Sequence, residues 1–386
     1  MRIGIDYRPA QKINSKDRGV GRYTRELTRH LAEGGDEHQF VLFTLGGRSV
    51  ELDGDFESRA IFYLPRPSRL NWLVEALLFP GAIRDERLEL FHVTELTSMP
   101  SRSSCPVWLT LHDLIPWVFW EETVRRTPRD FIYALERGLR LASEADLILT
   151  DSEHSRSDIC ARLGLPSSRV EVVYLGCDET LAPVDRGLAQ GLVQEDGIDD
   201  RFLLYLGGSD YRKNLPVLLE AFARIVSLGY PGTLLLGGGT FNRSIPEVEE
   251  LTRLAGRLGV AGQVRFYGFI PDQRLASFLS ACDYFIFPSL YEGFGLPVLE
   301  AMKCGAPLLC SRASALPEVA GEAAFYFDPS SVEGIVEAYR QAEGSPDLVE
   351  TKRRTGLERA RSFTWRAMAE RILTLYRERF GRGGSI

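Results

Sequence analysis

Tyr284-Phe-Ile-Phe-Pro-Ser-Leu-Tyr-Glu-Gly-Phe-Gly-Leu-Pro-Val-Leu-Glu-Ala-Met302 is the stretch from which the fold of this chain is read. Its first four residues form a short, wholly apolar run, the pattern of a strand buried on both faces of a parallel sheet. Gly293 and Gly295 interrupt the pattern and let backbone come close to a ligand. Pro297 then marks the expected first position of a helix. Strand, glycine turn and helix in that order make one βα step. The start of such a helix carries unpaired N–H groups at the positive end of the helix dipole, which suits a phosphate. Two carboxylates bracket the turn, Glu292 before the glycines and Glu300 about one helical turn past Pro297. A carboxylate can accept two hydrogen bonds from a vicinal diol, so Glu300 is a candidate for a ribose and Glu292 for a sugar ring. A carboxylate that merely complements the helix dipole is the plainer alternative.

The same alternation extends in both directions. Towards the amino terminus the expected strands are Arg2–Asp6, Gln39–Thr44, Ala60–Leu64, Leu88–Val93, Pro106–Leu111, Leu147–Asp151 and Val170–Tyr174. Helical patterns fall between several of them. Val20–Glu33 repeats apolar or aromatic residues at Tyr23, Leu27 and Leu31, and Asp151-Ser152 supplies an N-cap for a helix that Gly164 stops. Residues 176–200 mix Gly, Pro, Asp and Glu without period and read as a linker. Beyond it, strands are expected at Phe202–Gly207, Thr233–Leu236, Val264–Tyr267, Tyr284–Phe287, Pro307–Cys310 and Ala324–Phe327, with helices at Leu215–Leu228, Pro246–Leu258 and Gln273–Ala281. Two similar α/β halves imply two domains, residues 1–180 and 200–364, and make the cleft between them the expected ligand site. The helical pattern Trp365–Phe380 has no sheet left to cover, so 365–386 is expected to cross back onto the first domain, ending in a frayed tail from Gly381.

Length and composition set the bounds. A chain of 386 residues, 44% hydrophobic and 26% charged, is folded and long enough for two cores. No apolar run approaches a membrane span, and the first strand leaves no room for a signal peptide, so a cytoplasmic protein is expected. The six cysteines are scattered without a C-x-x-C pair, which indicates neither zinc nor disulfides. A net charge of −7 argues against nucleic acid as a partner, although eight arginines and lysines between Met1 and His30, among them Lys16 and Arg18, could meet an anion.

Glu292 and Glu300, separated by seven residues with Gly-Phe-Gly-Leu-Pro between, closely resemble the Glu-x7-Glu motif of retaining glycosyltransferases of the GT-B fold, notably glycosyltransferase family 4. The resemblance covers nearly the whole chain through Gly19-Val-Gly-Arg-Tyr23, Leu111-His-Asp-Leu-Ile-Pro116, Asp151-Ser-Glu-His-Ser-Arg156, Arg212-Lys-Asn-Leu215 and Leu316-Pro-Glu-Val-Ala-Gly321. It implies two Rossmann-like domains and a retaining transfer from a nucleotide sugar, with Glu292 on donor-sugar hydroxyls, Glu300 on the ribose and His112 on the donor sugar. Gly293, Phe294, Gly295 and Leu296 belong to the same donor-binding turn. Lys213, after the first strand of the second half, can neutralise a departing diphosphate, assisted by Arg212. Family members often carry arginine where this chain has Gly208, which leaves the division of labour between Arg212 and Lys213 open.

Gly19 and Gly21 precede the first helix and form a second phosphate-facing turn. Phe269 and Ile270 follow a strand end where the family meets the base. No Asp-x-Asp or His/Cys/Asp cluster suggests a metal, so catalysis without metal or other cofactor is expected. Gly237-Gly-Gly239 lacks the spacing of a dinucleotide fingerprint, which argues against a dehydrogenase. A sugar-nucleotide epimerase and a non-catalytic nucleotide-sugar-binding protein stay open as alternatives. Pro116-Trp-Val-Phe-Trp120 with Arg125, Arg126 and Arg129 could reach a lipid-linked acceptor at a membrane surface. Packing of these aromatics against a neighbour is the plainer account, since acids outnumber bases in the first 180 residues. Within the family the chain resembles bacterial mannosyltransferases of polysaccharide biosynthesis. GDP-mannose is therefore the first donor expected, with a UDP-sugar as alternative and a glycan or lipid-linked acceptor.

Overall fold

The structure, a computed structural model, describes residues 1–12, 19–35, 37–46, 56–62, 71–198 and 201–380. Lys16, Arg18, the end of the expected strand Ala60–Leu64 and the tail from Gly381 lie outside the described residues. The chain divides into two compact units, Cys177–Thr364 and a unit made of Met1–Gly176 together with the helix Trp365–Phe380.

The first unit holds seven strands, β1 (Arg2–Asp6), β2 (Gln39–Leu45), β3 (Glu57–Ile61), β4 (Leu90–Val93), β5 (Val107–Thr110), β6 (Leu147–Thr150) and β7 (Val170–Val172). They lie parallel in the order β3-β2-β1-β4-β5-β6-β7. The second unit holds β8 (Phe202–Leu206), β9 (Thr233–Gly237), β10 (Val264–Gly268), β11 (Tyr284–Phe287), β12 (Leu308–Ser311) and β13 (Ala324–Phe327). Their order is β10-β9-β8-β11-β12-β13, again parallel. Each order reverses once, between β1 and β4 and between β8 and β11. In an open α/β sheet the loops at such a reversal diverge and leave room for a ligand at the strands' carboxyl ends.

Four expectations change. The strand placed at Ala60–Leu64 runs at Glu57–Ile61, because this edge strand is largely exposed and its polar residues hide it from a hydrophobicity reading. The strands expected from Pro106 and Pro307 start one residue later, since proline has no N–H to donate. Their carbonyls still accept, from Phe91 N at 2.9 Å and from Phe285 N at 2.8 Å. The linker expected over 176–200 contains a helix, Arg186–Glu195. Asp185 caps it by accepting from Leu188 N at 3.1 Å, and Gly187 and Gly191 dilute its apolar stripe to Ala189 and Val193. This helix packs on Asp272–Ala281, and Arg274 fastens it through Asp196 at 2.7 Å, so the segment belongs to the second unit. Helices at Asn71–Asp85, Arg129–Ala142, Val332–Glu343 and Pro346–Ala360 were not anticipated from periodicity.

The helix Trp365–Phe380 packs on Gly19–Gly34, and Tyr376 is wholly buried against Trp108. At the other side of the sheet Phe43, Phe79 and Phe91 meet edge to face with centroids 5.0–5.7 Å apart. Arg8 lies over Phe79, its guanidinium 3.9 Å from the ring centre, and donates to both oxygens of Asp6 at 2.6 and 3.1 Å. Both residues are fully buried. Removing one partner of such a pair leaves a buried charge uncompensated.

Asp6→Ala should therefore cost about 3–5 kcal/mol, whereas Asp6→Leu with Arg8→Met should recover much of it. All five tryptophans lie in the first unit, so urea denaturation followed by their fluorescence reads that unit alone. A double variant no more stable than Asp6→Ala would show that Arg8 contributes mainly through packing.

Candidate active site

In the second unit the loops after β8 and β11, the strands flanking the reversal, are joined by one carboxylate. Lys213 donates from Nζ to Glu292 Oε1 at 2.6 Å, and the Arg212 guanidinium contacts Glu292 Oε2. Arg212 also binds Asp210 at 3.0 Å and the Tyr291 carbonyl at 3.2 Å, while Leu290 N donates to the Arg212 carbonyl at 2.7 Å. Asn214 is left-handed at φ 58° and donates to the carbonyls of Pro288 and Pro329. Ser314 accepts from Glu292 N at 2.7 Å. The Lys213 ammonium also stands 5.0 Å from the centre of the Phe287 ring.

Lys213 is 6% and Glu292 7% exposed, so both charges sit in a low dielectric. Burial lowers the Lys213 pKa, with Glu292 working against it. Burial would raise that of Glu292, but Lys213 and Arg212 outweigh it and hold the carboxyl below its usual range. The carboxylate is thus ionised at neutral pH. An ammonium has three donors, and Glu292 takes one.

The turn that follows brings backbone into the site. Gly295 has φ 109° and caps the helix Leu296–Lys303, and a Cβ there would lie 2.7 Å from Leu316 Cδ2. Pro297 falls at the second helical position instead of the first. Glu300 is buried on this helix. The glycines at or just past the ends of β8, β9 and β10 have a packing reason: Gly207 N donates to the Gly237 carbonyl at 2.9 Å and Gly238 N to the Gly268 carbonyl at 2.6 Å. At Gly238, φ is 152° and a Cβ would stand 1.8 Å from the Gly207 carbonyl oxygen. Gly208 accepts the Tyr205 hydroxyl at 2.8 Å. Past β10, Phe269 is 63% exposed whereas Ile270 is buried against Gly237.

In the first unit His112 lies two residues beyond β5, and Asp151 lies one beyond β6. The pairing of Thr110 with Leu149 sets them opposite each other. His112 Nδ1 is 2.9 and 3.1 Å from the two Asp151 oxygens. Burial works against the imidazolium, but Asp151, with smaller help from Asp113 and Glu95, raises the His112 pKa above its ordinary value. Ser152, not Asp151, caps the helix Glu153–Leu163, accepting from Ser155 N at 3.0 Å. Asp113 caps a short turn by accepting from Ile115 N at 2.8 Å. Gly19 and Gly21 form the first turn of the helix Gly19–Gly34 instead of preceding it.

Lys213, Arg212, Glu292 and the 293–296 turn are thus brought together in one unit, with Gly208 beside them, while Gly19, Gly21 and His112 stand in the other. Sequence reasoning missed Ser314, Asn214 and the partnership of Asp151 with His112. The last follows from the register of β5 against β6, which no local sequence pattern carries. Among the described residues no three His, Cys, Asp or Glu side chains converge as a metal site, and no helix is long and apolar enough to cross a membrane. Trp117 packs against the first unit's core, and Arg125 and Arg126 pair with Glu122, consistent with a packing role for that segment.

Two parallel-sheet Rossmann-like units, each with its loops at the carboxyl ends of the strands, define the GT-B architecture. The glycosyl transferases group 1 family matches residues 193–361 and the glycosyltransferase family 4 model residues 18–181. The O-antigen chain mannosyltransferase B of Escherichia coli is 30% identical over 377 residues, covering 93% of this chain and 96% of that protein. This chain belongs to the GT-B glycosyltransferases. Among solved structures, sucrose-phosphate synthase from Thermosynechococcus elongatus superposes with a TM-score of 0.77 at 23% identity, covering 99% of both chains. Anabaena HepE, in complex with UDP and glucose, gives 0.75 at 18% identity over 98% of this chain and 100% of that one. These two likenesses concern the fold.

Gly238→Ala should destabilise the second unit by at least the upper end of the ~1–3 kcal/mol that overpacking costs, because its neighbour is backbone and cannot rotate away. Calorimetric melting tests this. A melting temperature within a degree of the parent would mean that the β8 and β9 turns separate freely.

Proposed function

We propose that this glycosyltransferase transfers mannose from GDP-mannose, with retention of configuration, to a glycan or lipid-linked acceptor in the assembly of a bacterial surface polysaccharide. The observation that carries the reading is the Lys213–Glu292–Arg212 cluster at the reversal of the second sheet. The similarity to the O-antigen mannosyltransferase supports the choice of sugar and acceptor class. HepE, solved with UDP and glucose, keeps a UDP-sugar as the alternative donor.

In this reading Lys213 and Arg212 meet the diphosphate. Its negative charge grows as the glycosidic bond breaks, and fixed cations in a low dielectric stabilise that growth without reorganising. The N–H groups at the start of Leu296–Lys303 add to the field, with the 293–296 turn close to the donor and Gly208 beside the phosphates. Glu292, kept ionised by its two cations, accepts from hydroxyls of the transferred sugar, and Glu300 accepts from the ribose. Phe269 and Ile270 adjoin the base. His112 meets a sugar hydroxyl, and Gly19 and Gly21 offer a further helix start. The residues supply the charge neutralisation themselves, with no cofactor. The proposal places the protein in the cytoplasm, where nucleotide sugars are made, and allows peripheral contact with the membrane that holds a lipid-linked acceptor.

Lys213→Ala should lower kcat on the order of a hundredfold, as losses of single electrostatic contacts do, with a smaller effect on binding of the sugar-free nucleoside. Initial rates with GDP-mannose and UDP-glucose as donors decide it. A kcat within about twofold of the parent would remove Lys213 from the chemistry.

Glu292 and Glu300 should fail differently. An unpaired buried hydroxyl costs about 1–3 kcal/mol, which calorimetric titration resolves. Glu300→Ala should weaken nucleoside diphosphate and intact donor alike, whereas Glu292→Ala should damage binding of the intact donor more than that of the nucleoside diphosphate. Equal losses for both ligands in Glu292→Ala would return Glu292 to holding the loop in shape.

A further inference from the structure

The surroundings of His112 go beyond the contact proposed for it. Its Nδ1 faces both oxygens of Asp151, which is itself buried. Burial raises the Asp151 pKa and the neighbouring His112 ring opposes that rise; as an ionised carboxylate Asp151 only accepts, which puts the proton on Nδ1 in either charge state of the ring. Nε2 is buried and has no hydrogen-bond partner among the described residues. Buried polar atoms are nearly always paired, so an orphan at the carboxyl end of a parallel sheet points to a ligand.

The ring is held from a second side. The Tyr23 and His112 rings meet edge to face at 4.8 Å and 84°. Tyr23 is fixed in turn by a hydrogen bond of 2.8 Å between its hydroxyl and Thr110 Oγ1. Thr110 Oγ1 is also 2.8 Å from His92 Nε2, and His92 Nδ1 is 2.7 Å from the Tyr376 hydroxyl. Burial pushes His92 down to about 3, so it is neutral and one of its nitrogens accepts. The row therefore runs from the carboxyl-terminal helix to the edge of His112 through fully buried groups.

We propose that Asp151 and Tyr23 are positioning residues that fix the tautomer and plane of His112, so that Nε2 is presented to a hydroxyl of the bound donor sugar. This rests on the reading of His112 as a substrate contact. With Nδ1 protonated, neutral His112 accepts the hydroxyl proton at Nε2, and the imidazolium donates to the hydroxyl oxygen instead. Burial works against the imidazolium and Asp151, Asp113 and Glu95 favour it, while Tyr23 and the neutral His92 stand near the ring without charge. Asp151→Asn keeps the volume but removes the charge, and its amide can turn N–H towards the ring.

The test is a double-mutant cycle of His112→Ala and Asp151→Asn, read as kcat/KM, with ¹⁵N NMR of the imidazoles in Asp151→Asn. Asp151→Asn alone should lower kcat/KM about ten- to a hundredfold, the usual effect of an orienting partner, while nucleoside diphosphate binding stays unchanged. It should add less than about twofold in the His112→Ala background, and the His112 titration should move to lower pH. Tyr23→Leu should show the same non-additivity with His112→Ala. Independent, multiplicative losses, or a His112 titration unmoved by Asp151→Asn, would overturn the positioning role while leaving His112 as a contact. A His112→Ala enzyme with undiminished transfer would overturn the substrate contact and the proposal with it.

Discussion

A buried carboxylate between two cations organises the second unit. Glu292 comes from the loop after β11, and Lys213 and Arg212 come from the loop after β8, 79 residues earlier in the case of Lys213. These strands are neighbours only because the sheet order reverses there, so the ion cluster and the topology depend on each other. Taking such charges out of water is costly, and a buried ion pair seldom stabilises a fold more than apolar packing would. Its retention at the strands' carboxyl ends, where backbone N–H groups and a helix start converge, has a ready explanation in the anion such a place can receive.

The first unit contains a neutral hydrogen-bonded row instead. Tyr376, His92, Thr110 and Tyr23 are bonded in sequence, and each is buried. Every member has its polar atoms met, which is the condition under which a buried network makes a core rigid instead of weak. Tyr376 reaches it from a helix that follows the second unit in sequence but packs on Gly19–Gly34. Because this helix lies so far along the sequence, the first unit is not complete until residues 365–380 have been made.

Much of this was legible in the sequence because buried parallel strands are short apolar runs closed by a residue such as Gly207 or Pro288. Phe202–Leu206 and Tyr284–Phe287 read themselves, as did the helix Glu153–Leu163 between Ser152 and Gly164. Signals failed where polarity or glycine blurred the period. Glu57–Ile61 is an exposed edge, and Arg186–Glu195 shows only two buried side chains. Lys213 and Glu292 could be singled out by residue type and motif, but their bond could not, since it depends on which strands lie side by side. Asp151 was read as part of a helix cap because local pattern carries no information on the strand beside it.

Lys213 and Arg212 are proposed to receive a diphosphate at the reversal of the second sheet. Crystallographic difference density after soaking with GDP, and separately with UDP, tests it most directly. The account predicts phosphate oxygens within about 3 Å of Lys213 Nζ, the hydrogen-bond range, with Glu292 still bonded to the ammonium. A nucleotide bound in density elsewhere, with the Lys213–Glu292–Arg212 cluster unoccupied beside it, would contradict it.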